Sequence, residues 1–245
     1  MIELFDDREV LSRAAAELFA KVAWQSVRAC GRFSVLLAGG ETPRRTYELL
    51  SEEPYLSGLP WEKTQFFFGD ERCVPAGDPR SNAMMLKRAL LDKIPLAEWQ
   101  VHPILYEKDP QRAATAYETL LRDYFSGGRP FFDLVLLGLG DDGHTASLFP
   151  ASPALTEQGR WTAVTKKAGE DFMRVTLTAP LLNQSPLVVF LVAGSGKSRI
   201  LKDLLEGPFD PNRLPAQLIK PVGGESRWFV DRSAAAHLSS ATIRG

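Results

Sequence analysis

The sequence predicts an α/β fold: a mostly parallel, Rossmann-like sheet with helices on both faces. Three observations carry this reading. Strand-length apolar runs alternate along the chain with stretches of helical periodicity. The runs Phe132 to Leu137 and Leu187 to Ala193 have the near-continuous apolar character of strands buried on both faces. Each such run ends in glycine and polar residues, the composition of a turn. With 245 residues, 44% of them apolar, the chain is long enough to bury a substantial core, and residues 1–245 are expected to form a single domain.

From Arg8 to Cys30 the apolar positions Val10, Leu11, Ala14, Leu18, Phe19, Val22 and Ala23 recur at three- and four-residue steps, which predicts an amphipathic helix that Gly31 stops. Phe33 to Ala38 reads as a strand and Gly39-Gly40 as a turn, with Pro43 in the first turn of a helix running to Leu50. Thr64 to Phe68 is a second strand, delivering Gly69-Asp70-Glu71-Arg72 into a loop. Ser81 is placed to cap a helix that runs to Leu91. A helix over Gln111 to Phe125 precedes the strand Phe132 to Leu137, which ends in Gly138-Leu139-Gly140-Asp141-Asp142-Gly143-His144. Beyond Pro150, Trp161 to Val164 and Phe172 to Thr178 read as strands. Leu187 to Ala193 runs into Gly194-Ser195-Gly196-Lys197 and a helix to Leu205, and Arg227 to Val230 is the last strand. In such sheets ligands sit outside the carboxyl ends of the strands. The clusters at 39, 70, 142 and 197 all fall there, so they are expected to converge on one pocket.

Composition narrows the function. Lys and Arg total 29 against 30 Asp and Glu, a formal net charge of -1, so no global field draws a nucleic acid or an anionic membrane. Any anion must be held by local groups. Cys30 and Cys73 are too few for a disulfide framework, and no metal-ligand spacing such as C-x-x-C or H-E-x-x-H occurs, so neither a metal nor a cofactor is expected. The N-terminal residues include Glu3, Asp6, Asp7 and Glu9, unlike a signal peptide, and no apolar run reaches bilayer length. A soluble, cytoplasmic protein, monomeric or a small homo-oligomer, is the expectation.

Gly39-Gly40-Glu41-Thr42-Pro43 places backbone N–H groups and a hydroxyl before a helix, where the dipole favours an anion such as phosphate; a plain turn with a capping threonine has the same sequence. Gly194-Ser195-Gly196-Lys197-Ser198 suggests a nucleotide P-loop, but that motif needs glycine where Leu191 stands. What remains is a glycine turn whose Lys197 either pairs with a phosphate or is a solvated helix residue. In the segment GLGDDGHTASLFP, His144 is one of three histidines, and Asp142 two residues earlier can orient it as a general acid/base. A lone loop histidine capping the next helix is the alternative. Asp70 and Glu71 suit sugar hydroxyls or Arg72, and Arg72 suits a phosphate or an oxyanion, although a surface ion-pair cluster reads the same way. Arg174, a charge within a strand, either faces solvent or lines a site.

Taken together, AGGETP, FFFGDERCVP with the following RSNAMML, GLGDDGHTASLFP, RVTLT and AGSGKS resemble, in order, the 6-phosphogluconolactonase family. That family is similar in fold to glucosamine-6-phosphate deaminases and ribose-5-phosphate isomerases. The resemblance covers most of the chain and implies a hydrolase whose substrate is a small phosphosugar lactone. It implies that Gly39, Gly40, Thr42, Arg72, Arg174 and Lys197 surround the phosphate, with Asp70 in the site, and that His144 supported by Asp142 or Asp141 activates water. The deaminase branch carries an Asn-Glu pair after the corresponding histidine; here the segment is Thr145-Ala146-Ser147-Leu148-Phe149-Pro150, which favours the lactonase. Deaminase-type chemistry, or a non-catalytic sugar-phosphate sensor, are the alternatives.

Overall fold

The structure, a computed structural model, describes residues 1–126 and 132–244. Its elements in chain order begin with β1 (Ile2–Phe5), α1 (Arg8–Cys30), β2 (Phe33–Leu37), α2 (Glu41–Leu50), α3 (Tyr55–Gly58), β3 (Thr64–Phe68) and β4 (Asp70–Arg72). There follow α4 (Asn82–Leu86), β5 (Val101–His102), α5 (Pro110–Tyr124), β6 (Leu134–Gly138), β7 (Thr162–Thr165) and β8 (Arg174–Leu177). The chain continues with α6 (Ala179–Leu182), β9 (Leu187–Val192), α7 (Ser198–Glu206), β10 (Glu225–Asp231) and α8 (Ser240–Arg244).

Seven strands form one sheet in the order β1-β10-β9-β6-β2-β3-β5, and all its pairings are parallel. Right-handed crossovers then assign the helices to faces. The chain moves one way across the sheet from β1 through β2 and β3 to β5, placing α1 and α2 on one face. It returns the other way through β6, β9 and β10, placing α5 and α7 on the opposite face. The direction reverses between the neighbours β2 and β6, the switch point outside whose carboxyl ends ligands bind in this class.

Local chemistry explains the elements. Asp7 caps α1 by accepting from the Val10 N–H, and Gly31 ends it in the left-handed conformation (φ 78°). All five residues of β2 and all six of β9 are buried, as strands covered on both faces must be. Ser81 caps α4 through the Met84 N–H. The helix expected to reach Leu91 instead widens into a π turn over Lys87–Leu91.

Two expectations change. Asp70–Arg72, read as loop, is the strand β4, paired antiparallel with β8; β8 pairs with β7, making a separate three-stranded sheet. Gly69 is the bend between sheets: its N–H donates to the Leu37 carbonyl of β2 and its own carbonyl accepts from Leu177 of β8. The edge strands β1 and β5 were not expected; they are short, and pairing with β10 and β3 rather than their own residues makes them strands. Among the described residues no helix is long and apolar enough to cross a membrane.

Candidate active site

A cavity of about 540 Å³ lies outside the carboxyl ends of β2, β6, β9 and β10. Gly39, Gly40, Thr42, Asp70, Arg72, His144, Arg174 and Lys197, eight of the nine residues expected from sequence, line it. The ninth, Asp142, reaches the cavity through His144.

The histidine loop closes on itself. The Gly140 N–H donates to the His144 carbonyl at 2.8 Å, the Gly143 N–H to the Gly140 carbonyl at 3.1 Å, and the Thr145 hydroxyl to the Gly138 carbonyl at 2.8 Å. A Cβ at position 140 would stand 2.1 Å from His144 Nδ1, so only glycine there leaves room for the imidazole. Asp142 Oδ1 accepts from both the His144 backbone N–H, at 3.2 Å, and the ring Nδ1. A carboxylate can only accept, so Nδ1 carries a proton, and in the neutral ring it is Nε2 that keeps the lone pair. Burial raises the Asp142 carboxyl, but the hydrogen bonds and charge of His144 outweigh it and hold the group down at about 2. Asp141 turns away and pairs with Lys197, so Asp142 is the carboxylate that orients the ring. Phe149 meets the imidazole edge-on, with ring centroids 4.8 Å apart.

The β4 segment is held from beneath. Glu71, buried, accepts from the N–H groups of Arg72, Asn82 and Ala83, each at 2.7 Å, and from the Ser81 hydroxyl at 2.9 Å. Burial nonetheless lifts its carboxyl above the usual range. Glu71 thus ties β4 to the start of α4 and does not line the cavity. Asp70 accepts from Asn82 Nδ2 at 3.0 Å and from the Ser147 hydroxyl at 2.5 Å, with Arg174 Nη1 3.8 Å away. Arg72 donates to the Arg80 carbonyl, while its Nε is buried without a partner. A buried unsatisfied donor costs about 1–3 kcal/mol.

The two glycine turns share a backbone shape. Gly40 (φ 107°, ψ 164°) precedes α2 and Gly194 (φ 98°, ψ 143°) precedes the 195–197 turn, and neither start carries a side-chain cap. Gly39 is dictated by packing: a Cβ there would lie 1.9 Å from Asn82 Oδ1. Arg174 is less free than its sequence context suggested. Glu170 grips its guanidinium through Nε at 3.0 Å and Nη2 at 2.6 Å, and the rings of Phe149 and Phe172 lie 5.5 and 5.3 Å from it. It lines the cavity already neutralised.

Sequence reasoning assigned no role to Asn82, Arg80, Asp231, Arg8 or Ala146. Asn82 lines the cavity; Arg80 does not, and pairs with Asp78 at 2.8 Å. Asp231, buried at the carboxyl end of β10, accepts from the Gly194 N–H at 3.1 and 3.0 Å and so fixes the Lys197 turn. The rule that places sites at strand ends would have found Asp231, which directly follows the expected last strand. Arg8 and Ala146 carried no such signal.

The family described as glucosamine-6-phosphate isomerases/6-phosphogluconolactonase matches residues 6–228. The chain is 39% identical over 241 residues to a 6-phosphogluconolactonase of Synechocystis sp., covering 97% of this chain and 98% of that protein. It is 35% identical over 242 residues to a 6-phosphogluconolactonase of Nostoc sp., again covering 97% and 98%. Among solved structures, 6-phosphogluconolactonase from Trypanosoma brucei superposes with a TM-score of 0.85 at 29% identity, covering 98% of each chain. With the fold, the loop order and these relatives in agreement, this chain belongs to the glucosamine-6-phosphate isomerase/6-phosphogluconolactonase family.

Proposed function

We propose that this protein hydrolyses 6-phospho-D-glucono-1,5-lactone to 6-phospho-D-gluconate, a step of the oxidative pentose phosphate pathway, with His144 as the acid/base residue. The observation that carries the reading is the pairing of His144 Nδ1 with Asp142, which leaves Nε2 available in a cavity walled by Arg72, Arg174 and Lys197. The sugar phosphate meets the N–H groups at Gly40 to Thr42, the guanidinium of Arg72, and Lys197. Arg174 contributes mainly by holding Asp70 and Phe149 in place. Anchoring the phosphate positions the lactone carbonyl near the imidazole.

In the first step His144 Nε2 takes a proton from water as the water oxygen bonds to the carbonyl carbon and the carbonyl electron pair moves onto its oxygen. Asp142 stabilises the imidazolium so formed. In the second step the oxyanion re-forms the carbonyl, the bond to the ring oxygen breaks, and the imidazolium returns its proton to that oxygen. The product is the open-chain acid, which ionises in solvent. Water and His144 account for every proton.

Residues 1–245 are taken as one domain, supported by a continuous core that runs from Leu11 to Ala235. A cytoplasmic location and a monomer or small homo-oligomer fit the same reading. Deaminase chemistry is disfavoured by Thr145 to Pro150, which lack the Asn-Glu pair of that branch. The test separates chemistry from binding: His144→Ala is expected to lower kcat ~10²–10⁴-fold with little change in KM. Lys197→Ala is expected to raise KM about tenfold, the loss of one charge-assisted contact. Near wild-type kcat in His144→Ala, or ammonia release from glucosamine 6-phosphate, would count against the reading.

A further inference from the structure

Attack on a lactone carbonyl creates an oxyanion, and the loop N–H groups of Gly140, Gly143 and His144 do not supply its donors. Those of Gly140 and Gly143 bond to carbonyls inside the loop and that of His144 bonds to Asp142. The next residues differ. Thr145 to Leu148 form a tight turn closed by the Leu148 N–H on the Thr145 carbonyl at 3.0 Å. Its first central residue, Ala146, has φ +48°, a value that a turn ordinarily assigns to glycine. A side chain held there is strained, and such strain persists only where the surroundings fix it.

The surroundings do fix it. Ser147, fully buried, donates its N–H to Thr176 Oγ1 at 3.1 Å and its hydroxyl to Asp70 Oδ2 at 2.5 Å. The turn is thus pinned to both β8 and β4. Ala146 lines the cavity beside His144 and Thr145, and its N–H donates to no protein acceptor among the described residues. A preorganised, unpartnered N–H beside the acid/base residue is what stabilisation of a developing oxyanion requires.

We infer that the backbone N–H of Ala146 is an oxyanion donor of this site and that Ser147 is its positioning residue. The inference rests on the lactonase reading above. It assigns a catalytic role to a main-chain atom that any residue but proline at 146 would leave in place, which is why residue identity alone does not reveal it.

The test replaces Ala146 by its α-hydroxy analogue, lactic acid, so that an ester removes this N–H and leaves the methyl. In freshly prepared 6-phosphoglucono-δ-lactone the ester protein is expected to lose ~10²–10³ in kcat, with KM nearly unchanged. Ser147→Ala, which releases the turn from Asp70 but keeps its N–H bond to Thr176, is expected to lower kcat about tenfold, again at constant KM and with the acid limb of the pH profile unmoved. If the ester protein does not fold, as judged by its thermal melt, the Ser147→Ala split decides alone. An ester protein, or Ser147→Ala, that turns over like wild type overturns the inference while leaving the lactonase reading intact. A wild-type protein that gives no excess over spontaneous hydrolysis removes the reading and the inference together.

Discussion

His144 and Asp142 stand two residues apart, and the loop between them is shaped so that one carboxylate oxygen meets both the backbone N–H and the ring of the histidine. Gly140 clears the space. Gly140→Ala is therefore expected to cost at least tenfold in kcat by displacing the imidazole, and product binding to the variant should show whether the cavity survives. Asp142→Asn should lower kcat by ~10²–10⁴-fold, because an amide can present a donor to Nδ1 and so favour the wrong tautomer. The Asp142 carboxyl also leaves a mark on stability. Its folded-state value lies below the ordinary one, so its contribution is complete above about pH 4 and is lost as pH falls through about 2. Urea midpoints measured across that window should decline more steeply in wild type than in Asp142→Asn. The histidine was legible in sequence from its setting among glycines. The choice of Asp142 over Asp141 was not, since adjacent carboxylates differ only in the direction the folded loop gives them.

At the scale of elements, the main strands and helices follow from periodicity, caps and glycine stops, as α1 shows between Asp7 and Gly31. What could not be read was the fate of Asp70–Arg72. Three polar residues become a strand only because β8, about a hundred residues further on, offers them a ladder, and tertiary pairing of that kind leaves no local signal. The consequence reaches the site, for β4 carries Asp70 and Arg72 into the cavity while Glu71, pointing away, gathers four donors. Glu71→Gln presents one acceptor and one donor where two acceptors stood, and should destabilise the protein by about 1–3 kcal/mol. Chemical denaturation at pH 7 checks this.

For the whole molecule, a net charge of -1 conceals a cavity wall bearing Arg72, Arg174, Lys197 and Arg8. Three are already engaged: Arg174 with Glu170, Lys197 with Asp141, and Arg72 with the Arg80 carbonyl. In the proposed reading these cations meet a substrate phosphate, and the near-zero net charge leaves no field that would attract every polyanion. Because such a ligand binds only the folded state, 6-phosphogluconate at about a hundred times its Kd should add about 2.7 kcal/mol of stability. That corresponds to a rise in Tm of roughly 5–10 °C for a chain of this size, and Lys197→Ala should shrink the shift at fixed ligand concentration. The convergence of distant clusters was legible before the fold was known, since a parallel sheet brings its strand ends together. The partners that neutralise each cation were not, because Glu170 and Asp141 meet their arginine and lysine only once β8 and the loop after β6 are in place.

The most direct test of the central claim is the rate at which freshly made 6-phosphoglucono-δ-lactone disappears with wild-type protein, with His144→Ala and with neither, in one buffer where spontaneous hydrolysis sets the baseline. A wild-type rate well above that baseline, falling back to it in the His144→Ala protein, is the predicted result. A wild-type rate at the baseline while 6-phosphogluconate still binds the protein would contradict it.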